Sequence, residues 1–290
     1  MEPFEEYLLE HSALRTLLVT PGGNHGDTLI HMGHVKKLEE HGFSYSCFNL
    51  EERYSRDPVL AAKYLVNIGL WKMGSKDGFR LVDVPGDTEL ILFEGGGYIN
   101  DIWYGPTLLN QVLRRNHQPV AVGPQSIRLS AGTFETYKED RPLHLFCREE
   151  ASLVQLNQMD LTGNVVTQKS PEVALYLTRE DLDGYIEPRD PGYQLVAFRN
   201  DKESALSAGL KREVMGGCAN SVISDVSMKG SLTDFVSAVE YAGEVFTDRL
   251  HVAILGSILG RKVTLFGNIY HKNRGVWEYS LSDTVNFVPV

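Results

Sequence analysis

Asp248, Arg249 and His251 stand close together in the chain, and a carboxylate, a guanidinium and an imidazole in so short a run can bind an anion and move a proton. Residues 244–247 just before them are a short apolar run that reads as a buried strand, and the apolar positions from 250 to 259 recur at helical spacing. The three side chains therefore fall at a strand-to-helix junction. In an open α/β sheet such junctions line the rim where ligands bind, and the free N–H groups of a helix start favour a negative group. Two readings are open: Arg249 and His251 hold a phosphate- or carboxylate-bearing substrate, or Asp248 caps the helix while its neighbours face water.

Other polar residues gather in glycine-rich turns. Gly22, Gly23, Asn24, His25, Gly26 and Asp27 lie between an expected strand at 15–20 and a helix at 28–41, with Asp27 placed to cap that helix. The turn is neither G-x-G-x-x-G nor a P-loop with its Lys-Ser/Thr, so it supports neither dinucleotide nor ATP binding. His31 and His34 share a helix face three residues apart, with His25 upstream. No cysteine or third suitably spaced ligand joins them, so half-buried structural histidines are the stronger reading than a metal site. A second glycine loop runs from Glu94 through Gly95, Gly96 and Gly97 to Asp101, and a third polar turn, holding Gln125, Ser126 and Arg128, follows the apolar run that begins at Pro119. These turns either frame a cleft or serve only as tight turns. Arg148, at the end of a strand expected at 143–147, is read as a local cap or salt-bridge partner.

The elements that must carry these residues alternate. Strands are expected at 15–20, 44–49, 79–84, 89–93, from 119, at 143–147, 164–167, 194–199, 244–247 and 262–266, and helices at 28–41, 58–70, from 148, at 170–175, 232–242 and 250–259. That rhythm predicts mostly parallel sheets covered by helices. The stretch 178–193 is charged and broken by two prolines, which marks a linker between domains at 1–180 and 181–290. Residues 209–230 fit no periodic template.

With 290 residues and 42% apolar content the chain is globular, and its formal charge of -10 argues against a broad nucleic-acid surface, which would need a basic face. Cys47, Cys147 and Cys218 are far apart, without metal-type spacing, and are expected to be reduced core residues. The opening Met1-Glu2-Pro3-Phe4-Glu5-Glu6 lacks the basic-then-apolar order of an export signal, and no run approaches the length of a membrane span. The expectation is a cytoplasmic protein without a transmembrane segment.

Taken as an ordered set, Gly23-Asn24-His25-Gly26-Asp27, Glu94-Gly95-Gly96-Gly97, Gly123-Pro124-Gln125-Ser126, Arg148-Glu149-Glu150-Ala151-Ser152, a strand ending at Arg199, Asp248-Arg249-Leu250-His251 and His271-Lys272 resemble the polysaccharide pyruvyl transferase family across nearly the whole chain. The resemblance implies an α/β fold of two Rossmann-like domains facing across a cleft, GT-B-like, with transfer of the enolpyruvyl group of phosphoenolpyruvate onto two sugar hydroxyls as a ketal. It implies no cofactor beyond phosphoenolpyruvate as donor substrate, and an acceptor in a cell-surface or exported glycan or its lipid-linked precursor. A lipid-linked acceptor would bring the protein to a membrane without an anchor of its own. Carried over by motif, Arg199, Arg249 and His251 bind phosphoenolpyruvate with the backbone at Leu250. Arg128 stands where a His follows Gln-Ser-Ile in one subgroup, and Glu172 where relatives commonly have Asp.

Phosphoenolpyruvate carries a carboxylate and a phosphate, so its site needs several cations in a chain that is negative overall, and Arg199, Arg249 and Lys272 would supply them. His251 would be the proton shuttle, and Arg249 and His251 are therefore the expected catalytic pair. On the first domain, Asn24, Asp27, Glu94, Asp101, Gln125 and Arg128 would face the acceptor, with capping and loop closure an equal reading for Asp27 and Asp101. The competing expectations are a nucleotide-sugar-dependent GT-B glycosyltransferase and a non-catalytic glycan-binding relative.

Overall fold

A computed structural model describes residues 1–75, 78–129, 141–159, 161, 164–217 and 220–290. Two parallel sheets organise them. The first contains β1 (Thr16–Thr20), β2 (Tyr45–Asn49), β3 (Leu90–Phe93), β4 (Val120–Gln125), β5 (Leu143–Cys147) and β6 (Val165–Lys169), in the order β2-β1-β3-β4-β5-β6. The second contains β7 (Tyr193–Ala197), β8 (Ser221–Ile223), β9 (Ala242–Thr247), β10 (Lys262–Phe266) and β11 (Val285–Val288), in the order β11-β10-β9-β7-β8. β1, β3 and β4 are buried at every position, as continuous apolar runs must be when helices cover both faces of a sheet.

Both sheets are wound alike. The second strand joins one side of the first, and the chain then crosses to the other side and continues outward. The reversal opens a crevice beyond the carboxyl ends of β1 and β3 in one sheet and of β7 and β9 in the other, the place where open α/β sheets bind ligands.

The chain divides into two compact units, one made of Met1–Gly22 with His34–Glu172 and the other of Gly23–Gly33 with Val173–Val290. The division at 172/173 falls earlier than the expected 180/181. Val173, Ala174, Leu177 and Leu182 are buried in the same core as Leu195, Val245 and Leu255. The charged stretch read as a linker instead folds into a 3-10 turn, Glu180–Tyr185, and Arg179 grips Glu240 through two hydrogen bonds of 3.0 and 2.6 Å. The proline-rich composition was a true sign of irregular backbone, but Leu182 anchors it. The excursion of Gly23–Gly33 into the second unit has a similar cause, because Leu29 is buried in that unit's core.

Other expectations are corrected. Residues 79–84 form no strand; Leu81 and Val82 are buried at 3% exposure, so the apolar run reports burial without ladder pairing. The helix expected at 170–175 is only a 3-10 turn, Val173–Tyr176. Cys147 is buried as expected, Cys47 is exposed because β2 is an edge strand, and Cys218 lies outside the described residues. The stretch without a template holds a helix, Ala208–Gly216, capped by Ser207, and the edge strand β8. Among the described residues no helix is long and apolar enough to cross a membrane.

Candidate functional site

The second unit's crevice is built by stitching strand ends together. Thr247, the last residue of β9, donates its hydroxyl to the carbonyl of Ala197 on β7 (2.7 Å) and accepts from the Arg249 N–H (2.9 Å), which fixes the bend into the helix Leu250–Ile258. Asp248 does not cap that helix. Its fully buried carboxylate accepts from the Arg199 N–H (2.7 Å) and the Ser204 hydroxyl (3.0 Å), tying the loop after β7 to the end of β9. Burial raises the Asp248 carboxyl above its usual range, and these hydrogen bonds offset only part of that. Asn273 completes the frame by donating to the carbonyls of Asp248 and Phe266, both at 2.9 Å.

Upon this frame sits an alternating chain of charges. Lys272 donates to Glu203, which also accepts from Arg199 (2.7 Å). Arg199 forks onto Asp201 at 2.8 and 3.0 Å, and Asp201 also meets Arg249 at 3.2 Å. Arg249 in turn forks onto Asp225 at 3.0 and 2.5 Å. Three cations thus meet three carboxylates, so the excess of positive charge expected from Arg199, Arg249 and Lys272 is neutralised within the protein. Electrostatics explains the correction: guanidinium and ammonium groups this far from water must be paired. Burial alone would make Arg199 a weaker base, but Glu203 and Asp201 outweigh it and hold its proton more tightly than usual. Asp201 shows the mirror effect. Burial pushes its carboxyl up, and the hydrogen bonds from Arg199 then hold it below the usual range.

The three acids differ in one respect that decides what the network can do. The Glu203 and Asp225 side chains are 3% and 11% exposed, whereas Asp201 is 31% exposed and bridges both arginines. Asp201 is therefore the most accessible acid of the network. Sequence reasoning missed all three acids. Asp225 lies in the stretch with no periodic signal, two residues past the short strand β8.

His251 is half-buried in the first turn of Leu250–Ile258. The first turn of the helix that begins at His25 passes so close that a Cβ on Gly26 would come within 2.6 Å of the imidazole Nδ1, so glycine is required at that approach. That helix starts at His25, not at 28. Asn24 accepts from the Gly26 N–H (2.8 Å), while Asp27 accepts from the Asn24 N–H and side-chain amide, both at 2.8 Å, in a reciprocal cap. Asn24, one residue earlier than the helix, takes the capping place expected for Asp27. His25 binds the carbonyls of Ser227 and Gly230 at 2.9 and 3.0 Å through its N–H and ring. Asn24 and Asp27 consequently belong to the unit that carries His251, rather than to the first domain with the rest of the expected acceptor set. Leu250 buries its side chain in the core, as its place between Arg249 and His251 requires.

The remaining expected residues gather in the first unit. The loops after β3 and β4 run side by side, with Gly96 bridged to Gln125 and Asn100 to Arg128. Gln125 is fully buried and donates to the Glu94 carbonyl (3.0 Å); Glu94 is 2% exposed, while Asp101 and Arg128 are exposed. His34, one of the pair weighed as metal ligands, accepts from the Gly95 N–H (2.8 Å) and is a buried structural residue. Arg148 forms a salt bridge, as expected, but with a distant partner: a buried bridge to Glu172, 24 positions on, with a 2.8 Å hydrogen bond to Ser126. Glu172, the departure from Asp in the pattern, thereby has a partner. Among the described residues no group of three or more His, Cys, Asp or Glu side chains is arranged to hold a metal ion.

Two parallel, helix-covered sheets wound in the same order define an α/β protein of two Rossmann-like domains, the GT-B-like class. No protein-family model matches the chain, and no curated protein matches its sequence. Among solved structures, an uncharacterized protein from Klebsiella pneumoniae subsp. pneumoniae is similar with a TM-score of 0.67 and 22% identity, over 99% of this chain and 97% of that one. A UDP-N-acetylglucosamine 2-epimerase is similar with a TM-score of 0.50 and 9% identity, over 95% of this chain and 83% of that one. At such identities the likeness concerns the fold.

Proposed function

We propose that the protein is a sugar-modifying enzyme that moves the enolpyruvyl group of phosphoenolpyruvate onto two hydroxyls of a sugar, forming a pyruvyl ketal and releasing phosphate. The observation that carries this reading is the gathering of Arg199, Arg249 and Lys272 beyond the ends of β7, β9 and β10, next to a helix start that carries His251. Planar guanidinium groups suit carboxylate and phosphate oxygens, and N–H groups at a helix start favour the same charge. An enzyme that acts on a sugar nucleotide, the 2-epimerase, shares the fold and is in keeping with the coarser part of the reading.

In the proposed reaction the donor displaces Asp201 from between the two arginines, while Asp225 and Glu203 keep Arg249, Arg199 and Lys272 aligned. A proton reaches the methylene carbon of phosphoenolpyruvate through His251, turning it into a methyl group. One sugar oxygen bonds to the adjacent carbon, the bond from that carbon to the phosphate oxygen breaks, and a second sugar oxygen closes the ketal. Of the two hydroxyl protons lost by the sugar, one balances the methyl group and the other leaves with phosphate.

A second reading, a nucleotide-sugar-dependent glycosyltransferase, is favoured by the fold shared with a UDP-N-acetylglucosamine 2-epimerase. The test is incubation with phosphoenolpyruvate and aryl or lipid-linked hexosides, followed by phosphate assay and mass spectrometry. One phosphate released for each pyruvyl group gained is the expected result. Release of a nucleoside diphosphate from a sugar nucleotide, with phosphoenolpyruvate unconsumed, would establish the second reading instead.

A further inference from the structure

The helix Pro58–Lys72 of the first unit is apolar on the wrong side as well as the right one. Leu60, Tyr64, Ile68 and Trp71 recur at helical spacing and pack on the core of the first sheet. At about 100° per residue, Val59, Ala62, Leu65, Val66 and Met73 fall on the opposite face. There Val59 is 63% exposed, Leu65 69%, Val66 47% and Met73 77%. A surface helix ordinarily turns charged residues outward, so a continuous aliphatic face marks an interaction surface. Phe79, 51% exposed, is fixed beside the helix because the buried Asn67 side chain donates to its carbonyl (2.8 Å) and accepts from its N–H (2.7 Å).

The charges around this face select the occupant. In a chain of formal charge -10, residues 58–75 contain Lys63 and Lys72 and no Asp or Glu. Arg115 lies beside Phe79, donating to the Gly78 carbonyl at 2.7 Å, while the adjacent Arg80 pairs with Asp83 at 3.4 Å. The acids just upstream are engaged, Glu52 by Arg56 and Asp57 in capping the Val59 and Leu60 N–H groups. A second copy of the chain fits less well. A two-fold contact through this face would set lysines against lysines with no acid on the helix to pair them.

We propose that this face seats the first unit on an anionic lipid surface, with Leu65, Val66 and Met73 at the acyl boundary and Lys63 and Lys72 among the headgroups. The docking is independent of which donor the second unit takes.

The full chain should float with vesicles of phosphatidylglycerol and phosphatidylcholine, more weakly as salt rises, and should not float with phosphatidylcholine alone. Leu65→Glu with Met73→Glu should cut the bound fraction by about tenfold or more, and Lys63→Glu with Lys72→Glu should do the same on anionic vesicles. Because none of the four positions is buried, thermal melts of the variants should match the wild type; where a melt does not, Leu65→Gln with Met73→Gln, or Lys63→Gln with Lys72→Gln, takes the place of that pair. The proposal is overturned if the wild type fails to float, floats equally on neutral vesicles, or floats unchanged after the Leu65 and Met73 substitutions. It is likewise overturned if sedimentation shows a dimer that Leu65→Glu dissolves while vesicles go unbound.

Discussion

At the first sheet's crevice, β3 runs into Glu94 and glycines, and backbone N–H and C=O groups share the contacts with Gln125 and His34. At the second sheet's crevice, β7 and β9 run into Arg199 and Arg249, and charged side chains make them. Winding places a crevice at the same point of each sheet, and the residues just beyond the strands decide what it can hold. The two units also treat buried charge differently. Arg148 and Glu172 are 1% and 0% exposed and are closed off with Ser126, whereas the network of Arg199, Arg249 and Lys272 has one member, Asp201, that is 31% exposed. A closed pair holds structure together; an open network can trade one partner for a ligand.

Glu172→Ala should have the largest effect on stability and almost none on chemistry. It strands the Arg148 guanidinium in the interior, which costs about 3–5 kcal/mol, measured by denaturant unfolding. Rates at low temperature should stay within about twofold of the wild type, since the pair is not in the site of the second unit. A large loss of rate with unchanged stability would erase the contrast between the units.

Arg249→Lys should lower kcat/KM for phosphoenolpyruvate by about a hundredfold, because an ammonium cannot reproduce the planar fork. It is a cleaner probe than Arg249→Ala, which would also leave Asp225 with no charge partner and lower stability. Initial rates of phosphate release give the answer, and a change below about threefold would remove Arg249 from the site.

Asp201→Asn tests the exchange directly and in the opposite direction. Removing the resident anion should lower KM for phosphoenolpyruvate by a few-fold, worth about 1 kcal/mol, while folding becomes slightly less favourable. A raised KM would make Asp201 a ligand-binding group rather than the group that is displaced.

The smallest expected effect concerns the first unit and acid. Burial, and then the charge of His11, hold the His144 imidazole below its usual value. Tyr7 at 4.6 Å and Phe146 at 6.5 Å face the ring, and Glu10 only partly opposes the shift. A group that binds its proton less readily when folded contributes stability above its unfolded value, near pH 6.5, and that stability is lost as pH falls through the lowered folded value. Melting temperatures between about pH 7 and pH 5 should therefore decline more steeply for the wild type than for His144→Gln. Equal slopes would contradict this.

Much of the fold was legible because apolar periodicity is local. β1, β5, β10 and the junction that carries Arg249 and His251 lie within a residue or two of their expected positions. What sequence could not reveal depends on distant partners. Asp225 meets Arg249 across 24 positions and Glu203 meets Lys272 across 69, so spacing ties neither acid to that cation, although Glu203 also pairs with Arg199 four positions away. Asp248 looked like a cap because capping rules see only the adjacent helix, while its partner, the Arg199 N–H, lies 49 positions away. Asn24 and Asp27 fell on the wrong domain because the burial of Leu29 decides where their loop packs.

Calorimetric titration of phosphoenolpyruvate into the wild type, Arg249→Lys and Asp201→Asn tests most directly whether the charge network beyond β7 and β9 is an exchangeable anion site. The account predicts one site per chain, weakened by about tenfold or more in Arg249→Lys and tightened in Asp201→Asn. No binding heat with the wild type, or equal affinity in all three proteins, would contradict it.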